Sequence, residues 1–312
     1  MILVNTMKRT KILSAILVTL VILLISFLIY INYDKILIAV NNIVYYSISN
    51  KIDIPGYTIN QRNYEFKTVK PTSNFYPKNI DEVKDVYYTV LNNGWDSFTF
   101  YCDKDYTNCK DDIKDIANDS EYISLINNYV SPFNAYKKYN TLIIGDYEIN
   151  LTVDKLYSQT EINQVNKSID DIVKSLKINT TNPTQNDLLK FHDYLISNVK
   201  YDDDYIDNDI YSISNKANGA LIEKIALCSG YTDAFGLFLD RLNIPNFKVT
   251  TTDHVWNVVY FNNKWLHVDV TWDDDEYNSR NRHNFFLIDT NKLLEKDAEE
   301  HTFKQELYLE LN

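Results

Sequence analysis

The sequence is short of positive charge, of cysteine and of repeated segments. Its formal net charge is −12 over 312 residues, and acidic clusters such as 202–204 and 273–276 are scattered along it. Such a chain repels phosphate backbones and anionic headgroups, so nucleic acid is not an expected partner. No internal repeat or low-complexity tract is present. Apolar residues make up 45% of the chain, which is ample for a buried core, so we expect a folded protein.

The three cysteines divide into a pair and a single residue. Cys102 and Cys109 lie close together in a polar stretch. They form either a small disulfide, outside the cell, or two unpaired thiols. Cys228 is left single, which is what a nucleophile requires and also what a buried structural cysteine looks like.

One unbroken apolar run, residues 12–31, lies near the N-terminus. It follows Lys8, Arg9 and Lys11, and its length of about 20 residues matches the hydrocarbon thickness of a bilayer. A cleaved signal peptide is the alternative, but its apolar part is normally about 7 to 15 residues long, and no A-x-A-like site follows the run. No cysteine lies near the run, which excludes a lipid-modified N-terminal cysteine.

The cations beside this run set the predicted orientation. Because they lie on its short N-terminal side, the positive-inside rule places the residues after about Asn32 outside the cytoplasm. We therefore predict a single-pass cell-membrane protein with an extracytoplasmic C-terminal part. Residues 1–32 are then the cytoplasmic N-terminus and transmembrane helix, and residues 33–73, which show no sustained period, are a stalk or linker.

Residues 74–178 show the patterns of a small α+β domain. An amphipathic helix is predicted to stop at the Asn-Gly pair 93–94, and a strand is predicted at 97–102. The Gly-Asp pair 145–146 indicates a tight II′-type turn between two strands. A capping box at 158–161 precedes another amphipathic helix. The sequence does not indicate what this domain does.

A second domain is predicted over residues 179–312. A Thr-Asn-Pro break at 181–183 precedes a helix from about 184 to 199 that has one apolar face. Farther on, apolar residues recur at helical spacing beyond Cys228 and stop at 243–245, so this cysteine is predicted to begin a helix.

The start of a helix is a favourable place for a thiolate. Its free amide groups and its dipole stabilise an anion, which lowers a thiol pKa from about 8.5 toward neutrality. Gly230 permits close backbone approach, and the amide of Cys228 can help to stabilise an oxyanion. Taken alone, however, a cysteine beside an apolar helix fits a small buried hydrophobe better.

The stretch 254–272 reads as two alternating strands around the turn-forming pair 262–263. With a two-residue or symmetric four-residue loop, His254, His267 and Asp269 share one face of the hairpin. His254 and Asp269 become diagonal neighbours, with backbones roughly 7 to 8 Å apart. The carboxylate then fixes the tautomer of the imidazole and leaves its other nitrogen for the thiol. A register slip of one residue would separate them.

Four motifs follow one another in this domain. They are Asn-Gly-Ala-Leu at 218–221, Ala-Leu-Cys-Ser-Gly-Tyr at 226–231, Asp-His-Val-Trp-Asn at 253–257 and Trp-Leu-His-Val-Asp-Val-Thr-Trp-Asp at 265–273. This ordered set closely resembles bacterial transglutaminase-like domains, and the likeness covers roughly residues 183–303.

The resemblance implies an α+β fold with a papain-like or transglutaminase-like core, in which a helix carrying the cysteine at its N-terminus packs on an antiparallel sheet. It implies that Cys228 is the nucleophile, His254 the general base and acid, and Asp269 the orienting carboxylate. Two mild departures are Val255, where the family often has alanine, and the Glu-His pair 300–301, where many relatives carry Asp-His. No side chain is identified that completes the oxyanion hole.

No metal and no cofactor are predicted. A zinc site built from His254, His267 and Asp269 is the alternative, but zinc would occupy the imidazole that the cysteine needs. The acidic run 273–276 lacks the spacing of a known calcium loop and is interpreted as a solvated face. Two further histidines, His192 and His283, are interpreted as structural or merely exposed.

Thiol acyl chemistry is the leading functional hypothesis, with a protein or peptide amide outside the cytoplasm, including cell-wall peptide amides, as substrate. Transfer of the acyl group to water makes a peptidase or deamidase, and transfer to an amine makes a transglutaminase. The alternative is a non-catalytic surface domain that retains the fold for binding or scaffolding. An intact triad disfavours this alternative, because a scaffold does not need all three side chains.

Overall fold

The computed structural model describes residues 2–31, 75–203, 212–274 and 282–311. The predicted stalk, residues 33–73, lies outside the described residues. Residues 275–276 of the acidic run also lie outside them.

Helix α1 comprises Ile2–Ile31 and belongs to a different compact unit from the residues after Phe75. Its side chains are described from Ile16 onward, and the large apolar ones among them are exposed. Among the helical residues whose side chains are described, no segment has both the length and the apolarity needed to cross a membrane. The transmembrane anchor stays a prediction.

The second compact unit begins with a three-stranded antiparallel sheet and four helices. In this sheet β1 and β2 both pair with β3. The elements in chain order are α2 (Ile80–Asn92), β1 (Ser97–Tyr101), α3 (Cys109–Asn118), α4 (Ser120–Tyr129), β2 (Tyr136–Ile144), β3 (Glu148–Lys155) and α5 (Gln159–Ser175).

Several local predictions for this region are confirmed. Helix α2 ends before the predicted Asn-Gly stop, and the capping box of Ser158 with Glu161 opens α5. The predicted two-residue turn at 145–146 is wrong, since Ile144 pairs with Glu148 across a three-residue loop. Helices α3 and α4 were not predicted. A disulfide joins Cys102, just after β1, to Cys109, the first residue of α3, and the two Cα atoms lie 5.7 Å apart.

The remaining described residues form two further sheets and several helices. Strands β6 to β9 form an antiparallel sheet in sequence order, and β4 pairs with β5 in parallel. The elements are α6 (Gln185–Asn198), β4 (Lys200–Tyr201), β5 (Ile225–Ala226), α7 (Cys228–Arg241), β6 (Asn246–Thr250), β7 (Val255–Phe261), β8 (Lys264–Val268), α8 (Val270–Asp273), β9 (Phe286–Ile288), α9 (Thr290–Lys296) and α10 (Ala298–His301).

A single core holds α7 between this sheet and the helices before it. Phe238 of α7 stacks on Phe191 of α6 with ring centroids 4.0 Å apart, and the other face of α7 packs on β6 and β7. Val165 and Ile169 of α5 belong to the same core cluster. Helix α5, which the predicted boundary at 178 assigns to the first domain, thus packs with the elements of the second. The described part of the chain is mixed α+β, as predicted.

Candidate active site

Cys228 is the first residue of α7, as predicted. The residue before it, Leu227, has an extended backbone and supplies no side-chain cap. Its carbonyl oxygen accepts hydrogen bonds from the amides of Gly230 and Tyr231, and among the described residues nothing accepts from the amides of Cys228 and Ser229. Those two N–H groups are the ones that can hold an anion at the start of the helix.

The first turn of α7 is pressed against the segment that precedes the short π-helix Gly219–Glu223. A Cβ atom at Gly230 would overlap the Ser214 carbonyl oxygen and would lie 3.0 Å from that of Lys216. Only glycine permits this approach. On the neighbouring position, the Ser229 hydroxyl donates to Asn215 Oδ1 over 2.6 Å. The backbone around Cys228 is therefore fixed by packing on both sides.

The hairpin of β7 and β8 brings His254 to Asp269. Asn262 and Asn263, both with positive φ, form a two-residue turn, so Val258 pairs with His267 in the predicted register. Asparagine tolerates this left-handed conformation, which matches the twist of a hairpin. His254 directly precedes β7, and its Nε2 atom lies 2.5 Å from Asp269 Oδ2. The predicted proximity of these two side chains is confirmed.

The predicted second strand is too long at its end. It stops at Val268, and Asp269 caps the short helix α8, with its Oδ1 atom accepting from the amide of Trp272 over 3.1 Å. The β-branched pair 270–271 suggested a strand, but the capping carboxylate starts a helical turn instead. This turn leaves Oδ2 of Asp269 free to face His254.

A second histidine reaches the same carboxylate. His301, at the end of α10, places Nε2 3.0 Å from Asp269 Oδ2 and Nδ1 2.7 Å from Asp297 Oδ2. Burial alone would raise the pKa of Asp269, but the charge and hydrogen bond of His254, together with the hydrogen bond of His301, hold this pKa well below its usual range. Asp269 is therefore a buried, permanently charged acceptor.

His254 has the most strongly altered imidazole of the site. Burial alone would lower its pKa; the negative charge of Asp269, the hydrogen bond to it and the interaction with Cys228 outweigh burial and raise the pKa to about 10. Because Nε2 binds Asp269, Nδ1 is the ring nitrogen that remains for the Cys228 side chain. The ring stacks on Trp256, with centroids 5.6 Å apart. His254 thus holds a proton at neutral pH next to the sulfur.

His267 lies on the predicted face but has a structural role. Its Nδ1 atom accepts from the Trp256 indole N–H over 2.9 Å, and its Nε2 atom lies 3.1 Å from the Thr290 hydroxyl. Burial, followed by the charge of His301, lowers the pKa of His267 to about 3, so it is neutral. His267 therefore orients the indole that packs on His254. The three side chains able to hold a metal here are His254, Asp269 and His301, with His301 in place of the His267 of the alternative zinc site.

Tyr201 is a further side chain near the sulfur. Strand β4 pairs with β5 so that Tyr201 lies opposite Ala226, two residues before Cys228. The side chain is half-buried, and within the described part of the chain its hydroxyl has no hydrogen-bond partner. Burial and then the negative charge of Cys228 raise the pKa of Tyr201 to about 12. The hydroxyl thus keeps its proton and is available as a donor.

Neither His301 nor Tyr201 was assigned a role from the sequence. Both lie within residues 183–303, which the resemblance covers, and His301 belongs to the Glu-His pair that departs from the family pattern. That coverage was the available signal. Their contacts depend on pairings that bring together residues far apart in the chain, and these are not visible in local patterns.

Comparison with known proteins gives a family match that contains all three predicted residues. Residues 170–270 match the family described as Transglutaminase-like superfamily, and this range includes Cys228, His254 and Asp269. The match supports a cysteine-dependent enzyme family for this region.

Two solved structures are also similar to this chain. One is described as "a TGase", with 14% identity and a TM-score of 0.33, over 56% of this chain and 51% of that chain. The other is described as "a Putative Cysteine Protease from Cytophaga hutchinsonii", with 12% identity and a TM-score of 0.28, over 43% of this chain and 61% of that chain. This chain therefore spans less than two thirds of either one. No curated protein matches it.

Proposed function

We propose that the chain is a cysteine-dependent acyl-transfer enzyme that acts on protein or peptide amides outside the cytoplasm. The observation that carries this proposal is the position of His254, which bonds Asp269 through Nε2 and whose pKa is also raised by its interaction with Cys228. A nucleophile, a base and an orienting group in hydrogen-bond sequence are the requirement for covalent catalysis by a thiol.

In the first half-reaction the Cys228 thiolate attacks the carbonyl carbon of the amide and a C–S bond forms. The negative charge moves to the carbonyl oxygen, which the free Cys228 amide stabilises as a hydrogen-bond donor. When the C–N bond breaks, the His254 imidazolium gives its Nδ1 proton to the departing nitrogen. The amine or ammonia leaves, and the acyl group remains on the sulfur as a thioester.

In the second half-reaction neutral His254 takes a proton from the incoming nucleophile, which attacks the thioester carbon. The C–S bond breaks and the thiolate is restored beside the imidazolium. Water as nucleophile gives hydrolysis, and a primary amine gives a cross-link. Asp269 stays charged throughout, because its low pKa keeps it a carboxylate and its task is to hold the ring.

We propose that Tyr201, whose strand pairs with the residues just before Cys228, supplies the second donor to the oxyanion. Its hydroxyl is unpartnered among the described residues and keeps its proton to a pKa of about 12. Tyr201→Phe is therefore expected to lower kcat by about 10² to 10³, the usual effect of losing one oxyanion donor. The rate at which a simple alkylating agent modifies Cys228 should not change, since that reaction forms no oxyanion. An equal loss in both rates would contradict this role.

Two features support action outside the cytoplasm. The Cys102–Cys109 disulfide is typical of oxidising compartments. The apolar run that ends α1 has the length of a membrane span and carries cations on its N-terminal side. We propose that this segment anchors the enzyme, with residues 75–311 facing outward, where protein and cell-wall peptides are the available amides.

Labelling with a thiol-directed amide electrophile tests the proposal. We expect rapid, single modification of Cys228 in the full chain, at least 10²-fold slower in His254→Ala. Cys228→Ala is the control for labelling elsewhere, and the disulfide cysteines should stay unlabelled. Labelling at an equal rate in wild type and His254→Ala would contradict the triad and favour a non-catalytic surface domain. Cell-surface peptides are then incubated with the enzyme, with and without an added primary amine. Mass spectrometry of these peptides separates hydrolysis from amine transfer.

A further inference from the structure

A second cluster of ionisable side chains lies outside the candidate active site, on α6 and the segment before β9. His192 Nδ1, Asp193 Oδ1 and His283 Nε2 all lie within 4.8 Å of one another. Asp193 Oδ1 is 3.4 Å from the His192 nitrogen and 2.7 Å from the His283 nitrogen. Ligands about 2.0 to 2.1 Å from a tetrahedral zinc ion lie roughly 3.3 Å apart, so the two distances to Asp193 are close to the spacing that such an ion requires.

The buried member of the cluster has a supporting carboxylate behind it. His192 and Asp273 are both fully buried, and His192 Nε2 lies 3.1 Å from Asp273 Oδ2. The other oxygen of Asp273 accepts from the Phe285 amide over 2.9 Å. A histidine that binds a metal through one nitrogen usually donates its other N–H to a carboxylate, which fixes the ring and increases its basicity. Asp273 is in that position, and Nδ1 of His192 is turned toward Asp193.

Charge and access also favour a cation. Two carboxylates, Asp193 and Asp273, flank the two imidazoles. The side chains of Asp193 and His283 are 45% and 49% exposed, so an ion can enter from solvent. A divalent ion bound by the three side chains can take a water as its remaining ligand.

We propose that His192, Asp193 and His283 form a binding site for a divalent transition metal of the zinc class, with Asp273 as the supporting residue. Two imidazoles and one carboxylate are a zinc ligand set, whereas calcium and magnesium prefer oxygen alone. The proposal reverses the interpretation of both histidines as structural or exposed, and it does not depend on the thiol chemistry.

The position of the site indicates its role. Asp273 is the last residue of α8, whose N-cap is Asp269, and the Asp269 amide donates to the Phe285 carbonyl oxygen over 2.9 Å. An ion bound by His192 and Asp193 of α6 and by His283 would therefore fix the position of the segment around Phe285. That segment in turn accepts the hydrogen bond from the backbone of Asp269. We assign the ion a structural role, because the cluster contacts neither Cys228 nor His254.

Zinc titration of the full-length, chelator-treated protein tests the site. The Cys228→Ala background removes the free thiol as a competing ligand. We expect one zinc ion per chain and a rise in Tm of about 5 to 10 °C at a hundredfold excess over Kd. His283→Ala, which changes a half-exposed side chain, should abolish the Tm rise and weaken binding at least tenfold. Asp273→Asn should weaken binding about 10- to 100-fold.

His254→Ala is the matched control, because His254 belongs to the other group of side chains able to hold a metal. It should leave both the stoichiometry and the Tm rise unchanged. Zinc binding that survives in His283→Ala but is lost in His254→Ala would overturn the proposal and place the ion at the candidate active site. No saturable binding in the parent protein would overturn it as well.

Discussion

Asp269→Asn is expected to slow thioester formation by about 10⁴, the effect typical of replacing the triad carboxylate by an amide. The amide is nearly the same size, so the contact with the Trp272 amide through Oδ1 can persist. What disappears is the negative charge 2.5 Å from His254 Nε2. Without it the imidazolium loses its main stabilising partner, and the remaining imidazole is no longer held in the tautomer that the reaction needs.

The pH profile gives a second measure of the same change. The leaving nitrogen needs the His254 proton, so acylation by the wild type should persist until the pH approaches the His254 pKa of about 10. In Asp269→Asn the charge that opposes burial is gone, and the alkaline limb should move down by several pH units. His254 also stabilises the fold, because its folded pKa exceeds the ordinary 6.5. That stabilisation is complete below about pH 6.5 and is lost as the pH rises toward about 10.

Asp297→Asn is the matched control for Asp269→Asn. It makes the same chemical change at a carboxylate that bonds Nδ1 of His301. The Nε2 atom of His301 in turn bonds Asp269. Single-turnover acylation, followed from acid to alkaline pH, should lose less than tenfold and keep its alkaline limb. A control as inactive as Asp269→Asn would mean that the whole His301 network, not the triad carboxylate, carries the effect.

The parts that the sequence predicted well are those in which local chemistry determines geometry. The Asn262-Asn263 turn and the alternation on both sides of it set the hairpin register, and that register brought His254 to Asp269. The apolar spacing beyond Cys228 located the start of α7. In each case a short-range rule, turn chemistry or helical period, was enough.

The sequence-based predictions fail where a capping carboxylate, or a residue far away in the chain, determines the local structure. Asp119 ends α3 and caps α4 through its side chain, so two short helices meet there, in a stretch for which no helix was predicted. Asp269 likewise turns a predicted strand into α8. His301 is 32 residues from Asp269 on a four-residue helix, which is too short to show a period. Its contact depends on tertiary packing that no local pattern contains.

Asp233→Leu is expected to reduce the free energy of unfolding by about 3 to 5 kcal/mol, because it leaves a buried ammonium without its carboxylate. Asp233 lies on the buried face of α7, one turn beyond Cys228. Its Oδ1 atom accepts from Lys248 Nζ over 3.1 Å and its Oδ2 atom from the Tyr157 hydroxyl over 2.7 Å. The Tyr157 oxygen in turn accepts from the Ala217 amide over 2.8 Å. This network fastens α7 to β6 and to the loop before α5.

Urea unfolding of a matched series tests that prediction. The double variant Asp233→Leu with Lys248→Met removes both charges and should recover most of the loss, since an apolar pair of similar volume replaces a buried ion pair at little cost. Tyr157→Phe alone should cost about 1 to 3 kcal/mol, because it leaves the buried Ala217 amide unpaired. If the double variant is as unstable as Asp233→Leu, the loss comes from packing on α7 and not from the stranded charge. Recovery in the double variant would show that the ion pair is dispensable for stability.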